Sequence, residues 1–290
     1  MAIDARINAA LEDALAATRG GACPGGLAEA MHYAVFPGGH RIRPRLCLSV
    51  AAAYETADPD VVDAALASIE LLHCASLVHD DMPCFDNADT RRGKPAVHVE
   101  FGEPLALLCG DALIVQAFQV LASRGLHAPR RVATLMGIVS SAVGAPDGIV
   151  AGQAWECEPT RSFKEYQRGK TGVLFAAATM SGAAAAGAPH EPWRALGEAI
   201  GGAYQVADDL LDHFGSAEVI GKPVGRDELL ERTNAVDEWG ADGASGRLEQ
   251  MIERILDTVP ACPGRPRLLD LIAEEAGRFS SQALKARDAA

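Results

Sequence analysis

The chain has 290 residues, 49% hydrophobic and only 5% aromatic, which is enough for one large domain or two small ones. Its formal net charge of −13 excludes a nucleic-acid partner, which needs a basic face, but not a small anion held beside a metal or a local Arg/Lys cluster. Seven cysteines, odd in number and without a CxxC pair, read as reduced thiols of a cytoplasmic protein.

Alanine-rich stretches are frequent and strict apolar/polar alternation is scarce, so an all-α fold is expected, as a single domain over 1–290. The first predicted helix covers 3–18 and stops before Gly20-Gly21. MAIDARINAALEDALAA has no apolar core of the signal-peptide kind. A second helix runs 26–35 and ends at FPGG, where proline and two glycines forbid continuation. A third follows Pro44. Val62, Leu66, Ile69 and Leu72 recur at helical spacing over 60–81, with Asp58 or Asp60 as the cap. Pro83 breaks that pattern, and 83–103 reads as a long charged loop.

Further helices are predicted over 104–123, 129–143, 147–158, 162–187 and 191–213. The run 173–188 is apolar but short and broken by glycine. It reads as a close helix–helix contact, or alternatively as a cavity wall, and no membrane span is expected. Gly201 and Gly202 are expected to permit close helix approach. Residues 215–240 are polar and glycine-interrupted and read as a loop. Final helices are placed at 241–258 and 265–287.

Two acidic clusters stand out. HDDMPCFD puts Asp80 and Asp81 at the C-terminal end of the 60–81 helix, where partial negative charge already accumulates, with Asp86 following. In QVADDLLDHFG, Asp208 and Asp212 are four apart and share a helix face, while Asp209 points elsewhere. Apolar flanks surround both clusters, so a cationic partner is required. Oxygen donors without a Cys or His pair indicate Mg²⁺ rather than zinc, and its open positions suit phosphate oxygens. Cations follow each cluster: Arg91, Arg92 and Lys94 after the first, Lys222 and Arg226 after the second. Arg41, Arg43, Arg45 and Lys170 add to them. Neither a Walker A pattern nor GxSxG is present, which points to metal-assisted departure of a diphosphate rather than to a protein nucleophile.

GGHRIRP, LLHCASLVHDDMPCFDNADTRRGKP, GQAWE, KTG, YQVADDLLD and GKPVGRD, in that order over about 36–227, resemble the motifs of the trans-polyprenyl diphosphate synthases. Within that family they look like those of bacterial geranylgeranyl diphosphate synthases of carotenoid and bacteriochlorophyll pathways. The resemblance implies antiparallel helices around a deep central cavity, a homodimer, and head-to-tail condensation of an allylic diphosphate with isopentenyl diphosphate. It implies two aspartate-rich motifs facing each other across the cavity mouth and holding three Mg²⁺. Asp80 and Asp86, supported by Asp81, would be ligands of the first motif. Asp208, with Asp212, would serve the second.

By the same resemblance Arg91 grips the allylic diphosphate, assisted by Lys170 and Lys222. Arg43, His73 and Arg92 hold isopentenyl diphosphate. The Lys170 and Thr171 backbone and the Gln205 side chain face the developing allylic cation. Ala75 and Ser76, five and four residues before Asp80, set product length. Ala75 lies about 7 Å below the metal ligand, and its bare methyl favours C20 over C15, with Leu71 or Leu72 as candidate floor. His40 stands where the family usually has Lys, and Arg41 and Arg45 are the neighbours that could compensate. Tyr204 replaces the usual Phe, and Arg226 the usual Lys. Trp155 and Glu156 are read as packing and a surface charge. The alternatives are a farnesyl or longer-chain synthase, a class I terpene cyclase, and a non-catalytic regulatory subunit. The second DDxxD speaks against the cyclase, and the intact pair of motifs against the subunit.

Overall fold

The computed structural model describes residues 2–36, 39–158, 168–214 and 234–289. They are helical apart from turns and one two-residue-stranded hairpin. They divide into two compact units, Met1–Ser140 with Ala178–His190, and Ser141–Ala177 with Glu191–Ala290.

The first unit is organised on α4 (Pro59–Asp80). Asp58 is its cap: the side chain accepts from the Asp60 and Val61 N–H groups, and Pro59 occupies the first helical position. Fourteen of its residues are buried, on all sides, so α4 is a core helix rather than an amphipathic one. Around it stand α1 (Ala2–Leu15), α2 (Gly25–Val35), α3 (Ile42–Ala51) and α6 (Glu103–Arg124). Gly110 lets α6 approach, since a Cβ there would fall 2.0 Å from the His79 Nε2. α9 (Val173–Ala185) closes on α3 through Gly182, whose Cβ would fall 2.4 Å from the Cys47 carbonyl oxygen. The Ala-rich run thus makes a close helix contact. Among the described residues, α4 and α6, not 173–188, are the helices long and apolar enough to cross a membrane by composition, and the apolar window of α4 is 78% buried within the protein.

In the second unit α10 (Arg194–Phe214) buries Leu196, Ile200, Ala203, Val206, Ala207 and Leu210. It packs on α11 (Ala235–Ile255) and α12 (Arg265–Ala289). Gly201 and Gly202 do allow close approach, with Gly172 Cα and Met251 Cε at 3.0 and 3.1 Å from the virtual Cβ atoms. Gly197 is tighter still, at 2.4 Å from Ala176 Cα. Tyr204 lies between Phe175 and Phe279, tilted against the first and edge-on to the second, which accounts for an aromatic there.

Several predicted boundaries move. The first helix ends at Leu15 and continues as a 3₁₀ turn to Arg19. The third begins at Ile42, so Pro44 sits inside its first turn, where a missing N–H costs nothing. The expected loop 83–103 contains β1 (Thr90–Arg91), β2 (Lys94–Pro95) and α5 (Val97–Phe101). The 147–158 helix shrinks to α8 (Ile149–Ala154) plus a 3₁₀ turn. α7 (Pro129–Val143) matches its prediction. Of 215–240, residues 215–233 lie outside the described part. The remainder starts α11 through an Asn234 capping box, and the Gly240 kink (φ 70°) marks where the predicted helix was placed.

Candidate active site

α4 delivers Asp80 at its last turn, and the chain then folds back on the helix end. The N–H of Asp86 donates to the Asp80 carbonyl (2.9 Å), that of Asn87 to Met82 (3.0 Å) and that of Ala88 to Asp81 (3.0 Å). Asn87 adopts φ 46° to make this return. A carboxylate oxygen of Asp86 thereby comes within 4.8 Å of one of Asp80. Both are half-buried, whereas Asp81 is turned inside at 3% exposure. Burial pushes the Asp81 carboxyl above its ordinary range, Asp80 and Asp86 add to this, and Arg91 opposes it. Arg91 forks onto Asp81, with Nε at 3.0 and 3.1 Å from the two oxygens.

This cluster fits magnesium. The converging donors Asp80 and Asp86 offer only oxygens, at a helix terminus that already repels anions. The adjoining imidazole is directed elsewhere: His79 Nε2 lies 3.3 Å from the Leu107 carbonyl and 3.7 Å from Asp111.

Cations gather on the same unit. Arg43, buried, lies 3.4 Å from Nε2 of His73. Burial holds His73 well below its ordinary pKa, and the charges of Arg43 and Arg92 push the same way, so at neutral pH it is an uncharged hydrogen-bonding group. Arg91 and Arg92 come from a tight hairpin with Arg91 opposite Lys94. Its two-residue loop, Arg92 (φ 55°) and Gly93 (φ 74°), has the paired positive φ of a type I′ turn. His40 is exposed beside Gly39, against which the Arg92 guanidinium packs. The expected compensation for His40 is not available: Arg41 is buried in an ion pair with Glu70, and Arg45 is tied to Asp4. Ala75 is fully buried, as are Leu71 and Leu72, and the Ser76 hydroxyl donates back to the His73 carbonyl.

In the second unit Lys170 and Thr171 occupy a π-helical turn, Arg168–Gly172. Lys170 Nζ donates to Glu156 (2.8 Å), whose other oxygen accepts from Gln153 (2.9 Å). Glu156 is therefore a half-buried partner of Lys170, not a surface charge. Sequence reading missed it because no periodicity in the chain between them shows that Lys170, fourteen positions on, folds back to Glu156. A hydrogen-bonded relay runs from the Thr171 hydroxyl to Gln205 Oε1 (2.6 Å), from Gln205 Nε2 to Asp209 (2.8 Å), and from the Ala235 N–H to the other Asp209 oxygen (2.8 Å). Asp209, buried, thus anchors Gln205 and the start of α11, while Asp208 and Asp212 share a half-buried face of α10. Lys222 and Arg226 lie outside the described residues.

The polyprenyl synthetase family model matches residues 25–256. The geranylgeranyl diphosphate synthase of Cereibacter sphaeroides is 48% identical over 287 residues, covering 99% of this chain and 100% of that protein. The geranylgeranyl diphosphate synthase of Rhodobacter capsulatus is 48% identical over 272 residues, 94% of each. Among solved structures, a geranyltransferase from Helicobacter pylori complexed with magnesium and isoprenyl diphosphate aligns with TM-score 0.74 at 29% identity, over 89% of this chain and 88% of that one. A match of this length, falling on the very segments that carry the carboxylate and arginine clusters, means that the chain belongs to the polyprenyl synthetase family.

Proposed function

We propose that this protein is a prenyltransferase that makes geranylgeranyl diphosphate by magnesium-dependent, head-to-tail condensation of isopentenyl diphosphate with an allylic diphosphate, farnesyl diphosphate being the expected starter. The observation that carries the chemistry is the return of Asp86 onto Asp80 beside an arginine that a buried carboxylate aims. The 48% identity to geranylgeranyl diphosphate synthases along almost the whole chain supports the product assignment.

Magnesium, three ions by the family resemblance, would neutralise the diphosphate that leaves when the allylic C–O bond ionises. Asp80 and Asp86 would hold it in the first unit, with Asp81 acting through Arg91, and Asp208 and Asp212 in the second. Arg91 grips the allylic diphosphate. Arg43, Arg92 and the neutral His73 bind isopentenyl diphosphate, with His40 at the edge. Lys170, oriented by Glu156, and Lys222 assist the leaving group, and Gln205, fixed by Thr171 and Asp209, presents its dipole to the allylic cation. The new C–C bond forms at that cation, and the departing diphosphate accepts the proton, so no side-chain base is needed. Ala75 leaves room for a twenty-carbon product. The whole chain acts as one polyprenyl synthetase domain.

A homodimer is the expected assembly. On α6, Leu107, Leu108 and Val115 stand about half exposed or more around the exposed Asp111, a largely apolar face suited to a second copy. Seven free thiols suit the reducing cytoplasm, where carotenoid-type pathways would draw on the product. The test is incubation with farnesyl diphosphate, labelled isopentenyl diphosphate and Mg²⁺. A C20 diphosphate that disappears on chelation is expected, and the absence of any prenyl product would overturn the assignment.

A further inference from the structure

The C-terminal end of α2 is gripped by two cations from different segments. Lys94 Nζ donates to the carbonyls of Tyr33 (3.2 Å) and Phe36 (2.9 Å) and sits 3.9 Å from the Tyr33 ring centroid. Arg41 Nη2 donates to the intervening carbonyl of Val35 (2.5 Å). Carbonyls at a helix C-terminus lack intrahelical partners and carry the negative pole of the helix, so a cation here is both a hydrogen-bond donor and a counter-charge. The Tyr33 hydroxyl answers by donating to the Pro95 carbonyl (2.9 Å). The β1–β2 hairpin is thus latched to α2 from both sides.

The latch matters because of what the hairpin carries in the turn next to Lys94. Arg92 is the first residue of the turn, and its guanidinium lies on Gly39, where a Cβ would fall 3.0 Å from Nε. His40 follows Gly39, and Arg43 is the second residue of α3. Lys94 pairs with Arg91 in the pair that closes this turn, and a two-residue type I′ turn has no slack, so the place of Lys94 fixes the place of Arg92 two residues before it.

We propose that Lys94 is a positioning residue for isopentenyl diphosphate, latching the Arg91–Arg92 hairpin to the end of α2 so that Arg92 stays in register with His40 and Arg43. This rests on the reaction proposed above. Arg91 has its own anchor in Asp81, so the allylic side depends less on the latch.

Lys94→Met keeps the aliphatic stem over Tyr33 and removes the donor. It is expected to raise the KM for isopentenyl diphosphate about five- to tenfold, the worth of a charge-assisted hydrogen bond, with kcat and the KM for the allylic substrate within about twofold of wild type. Lys94→Arg, which can donate to the same carbonyls and stack on Tyr33, restores the KM. Hydrogen exchange supplies a readout independent of turnover. The Ala96 N–H, bonded to the Asp89 carbonyl at the hairpin base (2.9 Å), exchanges faster in Lys94→Met. Unchanged exchange would overturn the latch. Faster exchange with an unchanged KM, or an equal rise in both KM values, would overturn the positioning role. A wild-type chain with native-like protection at Ala96 but no prenyl product would instead overturn the reaction itself, and the positioning role with it.

Discussion

Arg91 reaches across ten residues to close a two-pronged ion pair on the buried carboxylate of Asp81. The second aspartate of the first acidic motif therefore aims an arginine, while its neighbours Asp80 and Asp86 face one another. The planar guanidinium is needed for this, because a lysine offers no fork. Asp81→Asn leaves Arg91 half-buried without its counter-charge. A loss of about 2 kcal/mol is expected after discounting for the partial exposure of Arg91. In a double-mutant cycle of Asp81→Asn with Arg91→Met, followed by thermal unfolding, the coupling should be about 1–3 kcal/mol. Additive losses would mean that the pair is incidental.

His73 gives a pH signature. Its folded pKa lies well below the ordinary 6.5, from burial first and then the neighbouring arginines. The unfolded chain therefore binds the proton that the folded chain refuses. Stability is full above the unfolded value and falls as pH drops from about 6.5 toward the depressed folded value. The unfolding temperature of the wild type should decline between pH 7 and pH 5, and that of His73→Asn should decline less. Parallel declines would show that other groups set the acid limit.

His40 is exposed, and the two arginines that could have replaced a missing charge are committed to Glu70 and Asp4. His40→Lys should therefore lower the KM for isopentenyl diphosphate by about two- to fivefold, as one solvent-exposed charge added to an anion site would. The effect should shrink in high salt. A KM that stays level or rises would show that the site is already saturated with positive charge.

The all-helical fold was legible because the apolar residues of 60–81 recur at a helical period and because proline and glycine punctuate the helix ends. The acidic clusters were legible because carboxylates in apolar flanks need a cation, and that logic does not depend on tertiary structure. What escaped were relationships between distant segments. Glu156 looked like a surface charge until Lys170 was beside it, and Asp209 looked idle until Gln205 and the Ala235 N–H converged on it. Arg41 looked available until Glu70 claimed it. The 90–95 hairpin reads as loop in the sequence because two-residue strands carry no periodicity, although RRG at its tip is turn chemistry.

Ala75 is buried on α4, one and a third turns below Asp80, so an added ring there has to take space from whatever lies above Leu71 and Leu72. Ala75→Tyr should shift the product from C20 to C15 at a stability cost of about 1–3 kcal/mol from overpacking. Reverse-phase separation of the dephosphorylated products checks this, with Ser76→Phe as a second, less buried probe. An unshifted C20 product from a folded Ala75→Tyr protein would place the length limit elsewhere.

Gly152 and Gly169 meet backbone to backbone. A Cβ on Gly152 would lie 2.5 Å from both the Gly169 carbonyl carbon and the Lys170 nitrogen, and one on Gly169 would lie 2.8 Å from the Gly152 Cα. Neither obstacle is a side chain that could rotate away, so these glycines set the seat of the π-helical turn and, through it, the reach of Lys170 to Glu156. Gly152→Ala must displace that turn. A shift of about 1 Å at a catalytic group costs on the order of 100-fold in rate. The expected result is a kcat down by about that factor, with a stability loss of about 1–3 kcal/mol. Gly137→Ala is the control, since no atom lies within 4 Å of its virtual Cβ and the helix there should gain by about 0.5–1 kcal/mol. If Gly152→Ala kept both its kcat and its unfolding temperature, the contact would be soft, and Lys170 would have to be held by Glu156 alone.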